Sequence, residues 1–157
     1  MAYGDDSGLT AWLAANGYTL PAGAPVPAVL RQRGSAYIDG LYGARFSGVP
    51  TDGFAQERAW PRVGAEAHGQ AVPSNLVPVA VINASYAAGW YEASNPGGLS
   101  AAASSSTAIK REKIDVIETE YVVGSGTALE NATVRLAIVE GLLAPFLTVP
   151  MPAIFVV

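Results

Sequence analysis

The stretch QERAWPRVGAEAHG, residues 56–69, decides how the rest of the chain is read. Pro61, Gly64 and Gly69 interrupt it too often for the middle of a long helix or strand. It nevertheless holds Trp60, one of three tryptophans, flanked by Arg58 and Arg62. A large apolar ring among turn formers predicts an ordered loop with an anchor, set by Trp60, Pro61 and Gly64. A helical segment rich in Tyr and Arg precedes it and an alanine-rich one follows. The loop is therefore expected to pin one helix to the other, leaving the two arginines to face something acidic.

Upstream, residues 28–46 repeat Leu30, Gly34, Tyr37, Ile38, Leu41 and Tyr42 at spacings of three and four, the pattern of an amphipathic helix. Gly34, Gly40 and Gly43 each weaken such a helix by about 1 kcal/mol relative to alanine, and close approach of a neighbouring backbone is the expected reason for them. Before it, Asp5, Asp6 and Ser7 can cap a short helix that Asn16-Gly17 stops, with Leu9, Trp12 and Leu13 on one side. The connection YTLPAGAPVP, residues 18–27, is extended by its prolines.

Downstream, Ser74 or Asn75 is expected to cap a third helix with Pro78 in its first turn. Val77, Ala80, Val81, Ala84, Ala88 and Tyr91 form its stripe, and Asn95-Pro96-Gly97-Gly98 ends it. GGLSAAASSST, residues 97–107, has the composition of a mobile connection. In residues 108–123 β-branched residues alternate with charged ones, predicting one strand, or two with a bend near Asp115. A last helix is expected from Glu130 or Asn131 to Pro145, with Val134, Ala137, Ile138, Gly141 and Leu142 on one face. The core of this mainly α, four-helix fold is assigned to Leu30, Tyr37, Leu41, Ala84, Tyr91, Ile138 and Leu142. The tail after it, with Ile154, Phe155 and Val156, is almost wholly apolar and extended by prolines, so it is expected to lie in a groove of its own domain or of a neighbour.

With 157 residues the chain has the length of one domain. Only 14% of residues are charged and 50% are apolar, which suits a subunit whose surface is shared with neighbours. A net charge of −4 argues against general nucleic-acid binding, which needs many cationic contacts to phosphate. Without cysteine there is no disulfide or thiolate metal site. No secretory leader or membrane-spanning run is apparent, so a soluble protein made in the cytoplasm is expected.

Catalytic and cofactor constellations are missing from the pattern. His68 is the lone histidine, in a polar loop, and Asp5-Asp6 reads as a helix cap before a metal pair. GSGTALE, residues 124–130, lacks the lysine and spacing of a nucleotide-binding loop. A protein without enzymatic activity, cofactor or metal is expected. Two basic groups remain. Arg31, Arg33, Arg45, Arg58 and Arg62 either pair internally, with Asp39 or Glu57 as candidates, or form an interface. Lys110, Arg111 and Lys113 precede an acidic run that includes Glu118 and Glu120, a pattern able to orient neighbouring copies. For single-stranded DNA the one available aromatic platform is Tyr37, Tyr42 and Trp60 beside Arg62.

The order AYIDGLYGARFSG, QERAWPRVG, VPSNLVPVAVINASYAAG, IKREKIDVIETEY and a closing LLAPFL resembles a family of small tailed-phage proteins carried under a DnaT-like single-stranded-DNA-binding label. In fold and role these resemble head-tail adaptors, also called head completion or connector proteins. The likeness covers residues 5–147, and Gln56, Trp60, Pro61, Arg62 and Gly64 followed by Pro73 and Pro78 are its most distinctive part. It implies an adaptor domain over 1–147 with an arm at 97–123, and an apolar tail over 148–157. It further implies a ring of about twelve copies under the portal protein at the capsid vertex of the virion, joined on its far side to a stopper or tail-side protein. Double-stranded DNA would pass through the lumen without sequence-specific binding. Arg58, Arg62, Lys110, Arg111, Lys113, Ile154, Phe155 and Val156 are then candidate contacts between subunits or with the portal. A single-stranded-DNA-binding accessory module, or an adjacent stopper or tail-completion protein, is the alternative.

Overall fold

Two sixteen-residue helices, α2 (Pro27–Tyr42) and α3 (Val79–Ser94), cross at glycine and form the centre of the molecule. The computed structural model describes residues 1–100, 111–114, 117–120 and 133–148, with the backbone alone for 111–114 and 117–120. A β-carbon on Gly34 of α2 would lie 2.1 Å from the Ser85 carbonyl oxygen, and one on Gly89 of α3 would lie 2.8 Å from the Leu30 carbonyl oxygen. Backbone therefore meets backbone at the crossing, and α3 is enclosed on most of its circumference, burying Val81, Ala84, Ser85, Tyr86, Ala87, Ala88, Gly89, Glu92 and Ala93. Close approach explains Gly34 alone among the three glycines singled out in α2. Gly40 has open space beside it and Gly43 only an ordinary contact with Ala59.

The other two helices pack on this pair. In α1 (Asp6–Ala15) the Asp5 carboxylate accepts from Gly8 N at 2.7 Å, and the helix buries Leu9 and Leu13 against α2 and α3. The last helix, α4 (Ala137–Leu143), packs on α3 through Val139 and Leu143. It begins later than expected, because residues 133–136 are not helical. Its phase is also turned: Ile138, expected in the core, is 46% exposed, while Leu142 is partly buried at the edge. With Glu140 its single polar side chain, this short helix has no polar face broad enough to fix the rotation. α3 likewise starts one turn later than expected. Neither Ser74 nor Asn75 caps it, and Pro78 occupies the cap position without a side-chain hydrogen bond.

Short antiparallel pairs supply the remaining regular structure. β1 (Val49–Pro50) pairs with β2 (Arg62–Val63), and β3 (Glu66–Ala67) with β4 (Gln70–Ala71). The two residues joining β3 to β4, His68 at φ 53° and Gly69 at φ 74°, have the left-handed backbone of a tight hairpin turn. β5 (Arg111–Ile114) and β6 (Ile117–Glu120) form a third pair, so the expected extended region is two strands. Its register sets Arg111 opposite Glu120 and Lys113 opposite Glu118.

The fold is small and mainly α, with four helices, long loops and short antiparallel pairs among the described residues. Its larger core joins Ile38, Tyr42, Phe46, Trp60, Val81, Ala84, Ala88, Val139, Leu143 and Phe146. A second cluster unites Leu9, Leu13, Leu30, Tyr86 and Ala93.

Candidate functional site

Trp60 is 2% exposed and stands between two phenylalanines that come from opposite parts of the chain. Its ring meets Phe46 edge-on at 5.5 Å and Phe146 edge-on at 5.7 Å, the arrangement that aromatic quadrupoles favour. Phe46 follows α2 and a 3-10 turn, while Phe146 lies in the 3-10 turn after α4. Phe46 and Leu147 also pair backbone to backbone, with Ser47 N donating to Phe146 O at 3.0 Å and Thr148 N to Arg45 O at 2.7 Å. The anchor thus closes the loop over the end of the chain as well as over α2 and α3. The Trp60-Pro61 peptide bond is cis, and Gly64 has φ 69°.

Arg62 completes this clasp from inside. The residue is 6% exposed, and its guanidinium donates to four backbone carbonyls: Ser47 at 2.8 Å, Ala59 at 3.0 Å, Phe46 at 3.3 Å and Gly48 at 2.6 Å. It also lies 5.9 Å from the centre of the Phe46 ring. Burial draws its pKa below the usual arginine range, with nearby Tyr3 and Asp39 acting in the opposite sense. The expectation that Arg62 faces an acidic partner is therefore corrected. Its planar fork ties together both sides of the β1–β2 loop, a geometry that a lysine ammonium cannot reproduce.

The N-terminal segment, which sequence reasoning passed over, holds the other side. The Tyr3 hydroxyl donates to Asp39 Oδ1 at 2.5 Å and accepts from Trp60 N at 3.2 Å, while Tyr3 N donates to the buried Ser35 hydroxyl at 2.9 Å. Burial and the Asp39 hydrogen bond hold the Tyr3 phenol far above the ordinary tyrosine range. Arg58 reaches the other Asp39 oxygen at 3.2 Å and Glu57 at 3.3 Å, and donates to the Met1 carbonyl oxygen. Of the two readings of this basic group, internal pairing with Asp39 and Glu57 is the one the geometry displays. Arg31 pairs with Asp6 at 2.7 Å, Arg33 with Glu92 at 2.9 Å, and Arg45 lies 5.8 Å from the centre of the Tyr42 ring.

Glu92 is a second buried fixture. Its carboxylate accepts from Arg33, from Gly97 N at 3.0 Å and from Leu99 N at 3.1 Å, which fixes the turn that leaves α3. Beside it a cleft of about 810 Å³ opens between α2 and that turn, lined by Arg33, Tyr37, Leu41, Glu92, Leu99 and Thr133. Tyr37 donates to Val134 O at 2.8 Å and is otherwise packed on the core edge.

The aromatic platform considered for single-stranded DNA is closed: Tyr42 and Trp60 are buried, and Arg62 is spent on carbonyls. Leu30 and Ala84 are fully buried, Leu41 is partly buried, and Tyr91 is half-buried beside Gly98. Arg111 and Lys113 stand in β5. Lys110, Ile154, Phe155 and Val156 lie outside the described residues, as does the greater part of the 97–107 connection. His68 is exposed at its hairpin turn, and among the described residues no three His, Cys, Asp or Glu side chains gather as a metal site. No described helix is long and apolar enough to cross a membrane.

Alongside Thr51, Asp52 and Glu57, the loop presents apolar side chains outward. Val49 and Val63, directly opposite in the β1–β2 pair, are 62% and 47% exposed, and Phe54 between the strands is fully exposed. Sequence periodicity could not reveal this, because two-residue strands are too short to display alternation.

These features define a small helical domain whose long central loop is locked from within by an aromatic anchor and a buried arginine. The chain belongs to the family described as "Putative DnaT-like ssDNA binding protein", whose match spans residues 2–156. No curated protein and no solved structure matches it.

Proposed function

We propose that this chain is a noncatalytic structural subunit that works by docking against neighbours, as a ring component of a phage neck between portal and tail. The observation that carries this reading is the contrast within the clasp loop: its arginines are engaged inside the chain, while Val49, Phe54 and Val63 are turned outward. In a chain with 14% charged residues such a surface favours a protein partner over nucleic acid. The resemblance to head-tail adaptors supplies the setting, with a ring around the DNA channel, the portal on one side and a stopper or tail-side protein on the other.

The test is to mix the purified chain with its portal protein and follow mass and negative-stain class averages. A ring on the portal is expected; particles that remain bare portals at high chain concentration would refute the neck role.

A second reading has its own support in the family description, which names single-stranded DNA binding. Since the Tyr42, Trp60 and Arg62 platform is buried, this activity would have to use other exposed cations. Fluorescence anisotropy with short single strands at low and moderate salt separates the readings. Binding that weakens steeply with salt supports the nucleic-acid role, and no binding at low salt removes it.

A further inference from the structure

We infer that the outward face of the β1–β2 loop is the receptor for the apolar C-terminal segment of a second copy of this chain. The inference deepens the assembly reading and rests on it for the presence of neighbouring copies. Three observations converge. The loop presents Val49 and Val63 as an exposed cross-strand pair, with Phe54 exposed between them in sequence. An uncovered aromatic and two valines in one loop are costly to leave in water, at about 25 cal/mol for each Å² of apolar surface.

The chemistry of the occupant is present in the sequence itself. Residues 149–157, VPMPAIFVV, contain no polar or charged side chain. Fully extended, nine residues reach about 30 Å, enough to cross to an adjoining molecule.

The geometry at Thr148 favours the neighbour. Phe46 and Leu147 pair antiparallel, and Thr148 donates to the Arg45 carbonyl through both its backbone N–H and its hydroxyl. The chain at that point is directed back past Arg45, opposite to the direction in which Ser47 leads to Val49. At Thr148, the last described residue, the chain is therefore headed away from its own β1–β2 loop. A copy placed alongside can receive the tail, and repetition of one such head-to-tail contact closes a ring or extends a filament.

The absence of cysteine makes the test direct. Two full-length single-cysteine variants, Val63→Cys and Phe155→Cys, are mixed under mild oxidation, one of them carrying a mass tag. A disulfide forms only when the two α-carbons approach within about 7 Å, so a mixed dimer at least about fivefold above a Thr10→Cys and Phe155→Cys control is expected. Added VPMPAIFVV peptide should suppress it. If either variant melts early, Val49→Cys with Val156→Cys repeats the measurement. A yield equal to the control overturns the inference. So does a cross-link that forms within single chains when both cysteines are placed in one diluted molecule. If the portal ring assembles while no mixed dimer forms, this inference fails and the neck reading stands. If the mixed dimer forms and no portal ring does, the self-contact stands and the neck reading fails.

Discussion

Gly34 and Ser85 face each other across the α2–α3 crossing with no room for a methyl group, since a β-carbon at position 34 would lie 2.1 Å from the Ser85 carbonyl oxygen. The obstacle is backbone in a helix packed on nearly all sides, so it cannot move aside cheaply. Gly34→Ala should destabilise the protein by about 2–3 kcal/mol despite its better helix propensity. Gly40→Ala, with open space beside it, should be neutral or stabilise by up to about 1 kcal/mol. Urea denaturation of both variants checks the pair, and equal effects would contradict the close crossing.

Arg62 is held by carbonyls alone among its described hydrogen bonds, four of them drawn from both sides of the clasp loop. Arg62→Lys keeps the charge but loses the fork, leaving buried and part-buried carbonyl groups unpaired. A loss of about 2–4 kcal/mol is expected. Arg45→Ala, which removes an exposed guanidinium from over the Tyr42 ring, should cost less than about 1 kcal/mol. Thermal melts that rank the two in the opposite order would mean that the guanidinium does not hold the loop.

Tyr3, Tyr42, Tyr86 and Tyr37 all have phenols raised above the ordinary value, burial being the largest cause in each case. A raised folded-state pKa means that the unfolded chain loses these protons first. Their contribution is fully present below about pH 10, where unfolded tyrosine titrates, and declines as pH rises above it. Stability measured from pH 8 to 11.5 should therefore fall at the alkaline end. Tyr3→Phe should flatten that fall while lowering stability at pH 8 by about 1–3 kcal/mol, because Trp60 N loses its acceptor. An unchanged alkaline slope would remove Tyr3 from the account.

The helices were legible wherever caps and periodicity agreed. Asp5 and Asn16-Gly17 bracket α1 as the sequence indicated, and Gly34 announced a close helix crossing. Rotation was not legible in α4, where Glu140 as the single polar side chain left Ile138 and Val139 equivalent in pattern though only Val139 is buried. Trp60 was readable as an anchor because a large ring in a broken loop has to be buried somewhere. Its partners Phe46 and Phe146 were not, since their proximity to it depends on the fold. Arg62 misled for a physical reason: an arginine in a polar loop usually faces water, and only tertiary structure could gather four free carbonyls around it. Tyr3, standing before any periodic segment, gave no signal of its hydrogen bonds to Ser35, Asp39, Trp60 and Arg31.

The pairing of Phe46 with Leu147 has a consequence for how the molecule comes into being. Trp60 cannot acquire its second aromatic wall, Phe146, until nearly all of the described chain has been synthesised. Contacts of such sequence separation raise the entropy cost of closing the chain and slow folding. The loop's other ties, to Phe46, Tyr3 and the carbonyls that Arg62 holds, all lie within the first half of the chain, so Phe146 is the one wall of the anchor that comes from the far segment. The final packing of the anchor is thereby tied to a residue far from it in sequence.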